Sequence, residues 1–168
     1  LAAMLGAVPY TSTAVVMLAY RRASIPHPMD AVGVLIPKSE GRRILALTFV
    51  ASKWAHRAPA DIALLRVFVG GHRRAEDVKQ TDEALVRLST GELCTLIGVH
   101  SEPLFSRVYR HERASAQPAL GHAEKMAAIG ERLKRHPGIY GCGAAFYGVV
   151  IPDCVRQADE VAARILSV

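Results

Sequence analysis

Ala31-Val32-Gly33-Val34-Leu35-Ile36-Pro37, then Lys38-Ser39-Glu40-Gly41-Arg42, then Arg43-Ile44-Leu45-Ala46-Leu47-Thr48-Phe49-Val50, are two β-rich runs around a polar turn. Val, Ile, Thr and Phe suit a pleated, half-buried surface, and Gly41 can take the positive φ of a tight return. The spacing predicts an antiparallel hairpin. Upstream, Ala14 to Tyr20 is an unbroken apolar run closed by Arg21-Arg22, which reads as a strand buried on both faces, and Pro26 and Pro28 mark the loop after it. A helical or irregular lead-in occupies the first residues. Downstream, Ile62 to Val69 is a further strand ending at Gly70-Gly71, with Arg66 set inside an apolar run. That guanidinium points either to solvent or into a wet pocket.

Thr81 followed by Asp82-Glu83 and by Leu85, Leu88, Leu93 and Ile97 fits an N-cap, an acidic first turn and a wide apolar stripe, although Gly91 weakens the helix interior. Phe105 to Tyr109 is expected to be a strand, with Arg110 to Arg113 as its polar, solvated continuation. A helix is expected from His122 to Arg135, with Met126, Ile129 and Leu133 on one face, and Pro137-Gly138 stops it. Ile139 to Cys142 reads as a short strand. The fold class is therefore α+β: a largely antiparallel sheet of four or five strands with packed helices, followed by a C-terminal strand and helix.

That C-terminal helix begins at Ile151-Pro152-Asp153, because proline is favoured at the first helical position and an acidic residue suits the positive end of the helix dipole. Val155, Ala158, Ala162, Ile165 and Leu166 continue it at helical spacing. Ahead of it, Gly141, Gly143 and Gly148 make a small-residue approach. A helix N-terminus behind such a loop can receive an anion or a polarised carbonyl, and it is equally an ordinary helix start packed on a sheet. A dinucleotide fingerprint is not present, since Phe146 stands where Gly141-x-Gly143 would need a third glycine.

Composition narrows the classes. The 168 residues suit a chain with a sizeable core, and 51% are hydrophobic. Twenty-one basic against fifteen acidic residues give a formal charge of +6, but the Arg pairs are scattered among acidic neighbours without interleaved aromatics. No nucleic-acid partner is expected. Cys94, Cys142 and Cys154 are an odd set without a Cys-x-x-Cys pair, which fits a reducing compartment, and the seven histidines offer no ligand pair, so no metal is expected. Residues 1 to 20 carry no charged side chain, yet Pro9 and Thr11-Ser12-Thr13 split the run and no basic segment precedes it. Neither a spanning helix nor a signal peptide is favoured.

Gly143-Ala144-Ala145-Phe146-Tyr147-Gly148-Val149-Val150-Ile151-Pro152-Asp153-Cys154-Val155 resembles the C-terminal signature of the oxygen-dependent protoporphyrinogen oxidases, FAD enzymes of haem biosynthesis in the flavin amine oxidase superfamily. The family usually reads close to Gly-Asn-Ala-Tyr-Arg-Gly-Val-Gly-Ile-Pro-Asp-Cys-Ile. The likeness continues upstream in Val34 to Leu45, in Ser52-Lys53-Trp54 with Arg57-Ala58-Pro59, in Leu65 to Gly71, and in Gln117 with Gly121-His122. It departs at Val150 and Ala144, where the family has glycine and asparagine, and at Ser115 to Leu120, where Pro-Gln-Tyr is replaced or displaced.

The resemblance implies an FAD cofactor, a porphyrinogen substrate, either protoporphyrinogen IX or coproporphyrinogen III, and oxygen as acceptor. It aligns Val149, Val150 and Ile151 with the family's flavin-contacting residues and offers no catalytic acid or base. It also implies that residues 1–138 belong to a substrate-binding domain and residues 139–168 to the last strand and helix of an FAD-binding domain. The chain then reads as a C-terminal piece, inactive and without FAD by itself, and prone to self-association. A cytoplasmic location with peripheral membrane contact is compatible with the family, and Trp54, the single tryptophan, either caps the sheet or touches substrate or lipid. Another flavin amine-oxidase relative and a non-catalytic basic binding module are the alternative classes.

Overall fold

The computed structural model describes residues 1–167. Its elements are α1 (Ala2–Gly6), β1 (Tyr10–Arg21), β2 (Gly33–Leu35), β3 (Ile44–Phe49), α2 (Val50–Lys53), β4 (Ile62–Gly70), α3 (Asp82–Ile97), β5 (Phe105–Ala116), α4 (His122–Leu133) and α5 (Ile151–Leu166). Two compact units are present, Ser12–Glu112 and a second formed by Leu1–Thr11 with Arg113–Val168. No helix among the described residues is long and apolar enough to cross a membrane.

The first unit is built on the sheet, whose strand order is β2-β3-β4-β1-β5. The expected hairpin is there: β2 and β3 pair antiparallel, with Val34 opposite Leu47, and Gly41 turns the connection at φ 64°. β4 lies antiparallel to both β3 and β1. Successive side chains of a strand alternate between faces. One face therefore carries Val16, Leu18, Tyr20, Leu65, Val67 and Val69 into the core, where Leu85, Leu93 and Ile97 of α3 meet them. The opposite face is only half-buried, with Val15, Met17, Leu64, Arg66 and Phe68, so β1 is not covered on both sides as its apolar run suggested. Hydrophobicity along a strand reports that both faces are apolar; it does not report that both have a layer against them. The Thr81 hydroxyl caps α3 by accepting from the Ala84 amide at 3.2 Å, and Gly98 closes the helix in the left-handed region.

Two expectations are corrected. β5 runs to Ala116 rather than ending at Tyr109, because the neighbouring β1 is twelve residues long and continues to offer backbone partners while the side chains of β5 stay solvated. Conversely, Ile139 to Cys142 is not a strand: among the described residues no strand follows β5, and the Ile139 amide donates instead to the His136 carbonyl at 3.2 Å. A strand needs a ladder partner; here the Ile139 amide is used in a local turn and no neighbouring strand is offered. In this second unit Met126 and Ile129 of α4 are buried with Val8, against Met4 and Phe146.

Tyr20 is buried with its hydroxyl unpartnered by protein atoms. Burial first, and Glu102 second, push its pKa up to about 12. An unfolded tyrosine titrates near 10, so the folded state holds the proton more tightly. The resulting contribution is intact below about pH 10 and is lost as pH rises toward about 12, at up to roughly 1.4 kcal/mol per pH unit. Tyr20→Phe is expected to be nearly neutral at pH 7 and to flatten that alkaline loss, as read by urea unfolding at a series of pH values. Parallel alkaline slopes for the two proteins would contradict it.

Candidate functional site

In the second unit the candidate site is the junction between the small-residue loop and α5. Val150 is the N-cap, extended at φ −86° and ψ 153°, and no side chain caps the helix. Its carbonyl accepts from the Cys154 amide at 3.1 Å. The first-turn amides thus keep their donors free of side-chain partners, at the positive end of a sixteen-residue helix. Gly148 has φ 136°, and a Cβ there would collide with the Asp153 side chain, which is folded back over it. Arg156 stands 3.6 Å from the Asp153 carboxylate. The loop is tied to the helix from behind: the Gly143 amide donates to Oε1 of the buried Gln157 at 3.1 Å, and the Cys154 thiol lies 3.8 Å from the Gly148 carbonyl. Nε2 of His122 lies 3.2 Å from the Phe146 carbonyl.

Val149, Val150 and Ile151 follow one another at this junction and are exposed by 50, 55 and 80%. An apolar surface next to unsatisfied amides suits a flat heterocycle with a polar edge. The Gln157 tether escaped the sequence reading; Gln157 lies one helical turn from the half-buried Cys154 and Val161, so the inner face of α5 carries a glutamine rather than the expected apolar stripe.

In the first unit the cluster from Ser52 to Pro59 begins in the single turn of α2 and continues into the loop after it. Arg22 holds the preceding loop by donating to the carbonyls of Ile25, His27 and Pro28 at 2.8, 3.2 and 3.0 Å. The Ser52 hydroxyl donates to the Met29 carbonyl at 2.9 Å. Between these segments lies a cleft of about 300 Å³ lined by Met29, Phe49, Ser52, His56 and Leu64. Arg66 is half-buried, with its Nε enclosed, and it is not part of that lining. Its guanidinium carbon sits 5.4 Å from the Trp54 ring centre and 4.9 Å from that of Phe68.

A family model described as flavin containing amine oxidoreductase matches residues 1–166. The chain belongs to this family. Among its relatives, the coproporphyrinogen III oxidase of Bacillus subtilis is 30% identical over 158 residues, which are 94% of this chain and 34% of that protein. The mitochondrial protoporphyrinogen oxidase of Nicotiana tabacum is 28% identical over 165 residues, 95% of this chain and 32% of that one. The crystal structure of a putative protoporphyrinogen oxidase from Exiguobacterium superposes with a TM-score of 0.84 at 30% identity, over 95% of this chain and 35% of that one. A reduced UDP-galactopyranose mutase, at TM-score 0.67 and 17% identity over 85% of this chain and 30% of that one, shares the fold. The chain spans about a third of the length of the curated relatives it matches. It is a distant homologue of the protoporphyrinogen and coproporphyrinogen oxidases and similar to them in structure.

The family's flavin can be tested against the residues present. The uncapped α5 N-terminus fits the polar edge of a flavin ring, while the space over Gly148 is taken by the Asp153 side chain and no glycine-rich strand, turn and helix for a pyrophosphate occurs in the sequence. The donors suit one part of the cofactor only.

Proposed function

We propose that the chain is a segment of an FAD-dependent oxidase that removes hydride equivalents from a porphyrinogen, with oxygen as acceptor. The observation that carries this reading is a likeness running from residue 1 to residue 166, together with the 0.84 TM-score to the Exiguobacterium structure. The flavin, when bound, supplies the redox chemistry. The residues of this chain position and polarise. Val149, Val150 and Ile151 would pack on the ring, and the α5 N-terminus would favour the negative charge that the reduced ring carries at its polar edge, an effect of roughly 0.5 to 2 kcal/mol. Residues 1–138 would serve substrate binding and residues 139–168 the cofactor domain, in a cytoplasmic protein with peripheral membrane contact.

In the protein expressed from the full reading frame, Asp153→Lys places a cation where the dipole is already positive and removes the more distant of the two acidic partners of Arg156, which keeps Glu160 at 2.9 Å. Several-fold weaker flavin retention or slower flavin reduction is expected, with Asp153→Asn intermediate, as followed by the visible flavin absorbance. Unchanged flavin content and an unchanged reductive half-reaction in Asp153→Lys would take α5 out of the mechanism. The reaction itself is tested by aerobic conversion of coproporphyrinogen III and protoporphyrinogen IX, read as porphyrin fluorescence. A purified full-length protein that carries flavin yet oxidises neither would overturn the reading.

A further inference from the structure

Arginine pairs that lie far apart along the chain meet in the first unit. Arg42-Arg43 leads into β3 and Arg73-Arg74 follows β4, and because these strands are adjacent and antiparallel, both pairs come to one end of the sheet. There a cleft of about 590 Å³ is lined by Lys38, Arg42, Arg43, His72, Arg73 and Arg74, with no acidic side chain among the described residues of its lining. The nearby acids are engaged from behind. Asp77 accepts from Arg43 at 2.9 Å and from Gln80 at 3.0 Å, Glu92 accepts from Arg42 at 3.1 Å, and Glu76 pairs with Lys79. Glu92 also accepts from the Arg43 amide at 3.1 Å, so α3 fixes where the Arg42-Arg43 pair stands. Among the described residues Lys38, His72, Arg73 and Arg74 make no ion pair.

The backbone shapes this cleft as much as the charges do. Gly70 and Gly71 close β4 with successive positive φ values of 102° and 76°, and among the described residues the His72 and Arg73 amides that follow donate to no backbone carbonyl. A bulge between Ile44 and Ala46 turns Leu45 outward, 42% exposed, although Ile44 and Leu47 on either side are buried. Leu45 then covers Gly71, where a Cβ would lie 2.8 Å from its Cδ1. Guanidinium forks and backbone amides thus converge from two segments beside one apolar wall. A carboxylate is answered within one plane by a single fork, whereas a terminal phosphate offers three oxygens around a tetrahedron and close to two negative charges. We propose that this cleft binds the terminal phosphate of a soluble phosphate ester or diphosphate. Arg73, Arg74 and the amides of His72 and Arg73 supply donors from the turn after β4, and Lys38, Arg42 and Arg43 supply them from the hairpin. The site does not depend on the porphyrinogen reading and uses none of the residues assigned to the flavin.

Calorimetric titration of the 168-residue chain with inorganic pyrophosphate, with citrate as a carboxylate anion of similar charge, and with vesicles of phosphatidylglycerol tests the site. Saturable binding of pyrophosphate is expected, about tenfold tighter than citrate and weakening as salt is raised. Arg73→Ser combined with Arg74→Ser is expected to lose about tenfold, and Lys38→Met about threefold. Arg107→Ser removes an exposed arginine that lies on β5 outside the cleft, and it is expected to change the affinity by less than about twofold, so it separates the site from the net charge of the chain. Arg73 and Arg74 are exposed, and Lys38→Met decides the matter if the double variant does not fold. Equal affinity for citrate, indifference to the cleft substitutions, or an equal loss in Arg107→Ser would overturn the assignment. Vesicle binding that requires Arg73 and Arg74, in a chain that does not take up pyrophosphate, would overturn it in favour of a lipid surface.

Discussion

Titrated with FAD, the 168-residue chain by itself is expected to show no saturable binding at micromolar concentration and to oxidise no porphyrinogen. Micromolar affinity requires roughly 8 kcal/mol. The α5 N-terminus contributes roughly 0.5 to 2 kcal/mol to an anion held there, and the contact proposed for Val149, Val150 and Ile151 would touch only one edge of the ring. The pyrophosphate, which carries most of the cofactor's charge, needs a glycine-rich turn at a helix N-terminus. Equilibrium dialysis with the flavin read by absorbance decides this, and stoichiometric micromolar binding would overturn it. The same chain is expected to associate in sedimentation experiments. Ile151, Val155 and Ile165 lie on one face of α5 and are exposed by 80, 54 and 50%, an apolar patch that association would cover. Val155→Lys combined with Ile165→Lys is expected to restore a monomer, and a monomeric parent chain would remove the argument.

Gly70→Val is expected to destabilise the chain by about 3–5 kcal/mol, a large part of the stability of an ordinary domain. Gly70 sits at φ 102°, and a Cβ there would lie 2.6 Å from Cγ2 of Val78 and 2.9 Å from the Ser12 carbonyl oxygen. The first obstacle is a buried side chain and the second is backbone of the adjacent strand, whose Ser12 carbonyl accepts from the Gly71 amide at 2.9 Å. Relief therefore means moving the end of the β1 and β4 ladder, where Thr13 pairs with Gly70. Gly41→Ala separates strain from collision: Gly41 also has positive φ, at 64°, but nothing lies within 4 Å of its Cβ position. It is expected to cost about 1–2 kcal/mol. Urea unfolding followed by circular dichroism compares the two; equal losses would show that packing at Gly70 is not the cause.

Local chemistry was enough to read the β2 and β3 hairpin, the Thr81 cap of α3 and the start of α5 at Pro152-Asp153. In each the deciding partner lies within a few residues: a turn glycine, a hydroxyl three residues from its amide, a proline at a position that needs no donor. Val149, Val150 and Ile151 were singled out by the family resemblance and not by local chemistry; the structure places them where the loop enters α5. The tertiary structure alone decided where a segment depends on a distant partner. Ile139 to Cys142 has strand-like residues but no neighbouring strand to pair with, and the polar second half of β5 is a strand because β1 runs alongside it. Arg66 is the sharpest case. An arginine within an apolar run is compatible with solvent or with a pocket, and nothing in the intervening residues reveals that Trp54 and Phe68 flank it. That arrangement arises because the alternation of β4 and the turn after α2 bring residues twelve positions apart to the same face of the sheet, a relation that exists in space and not along the chain.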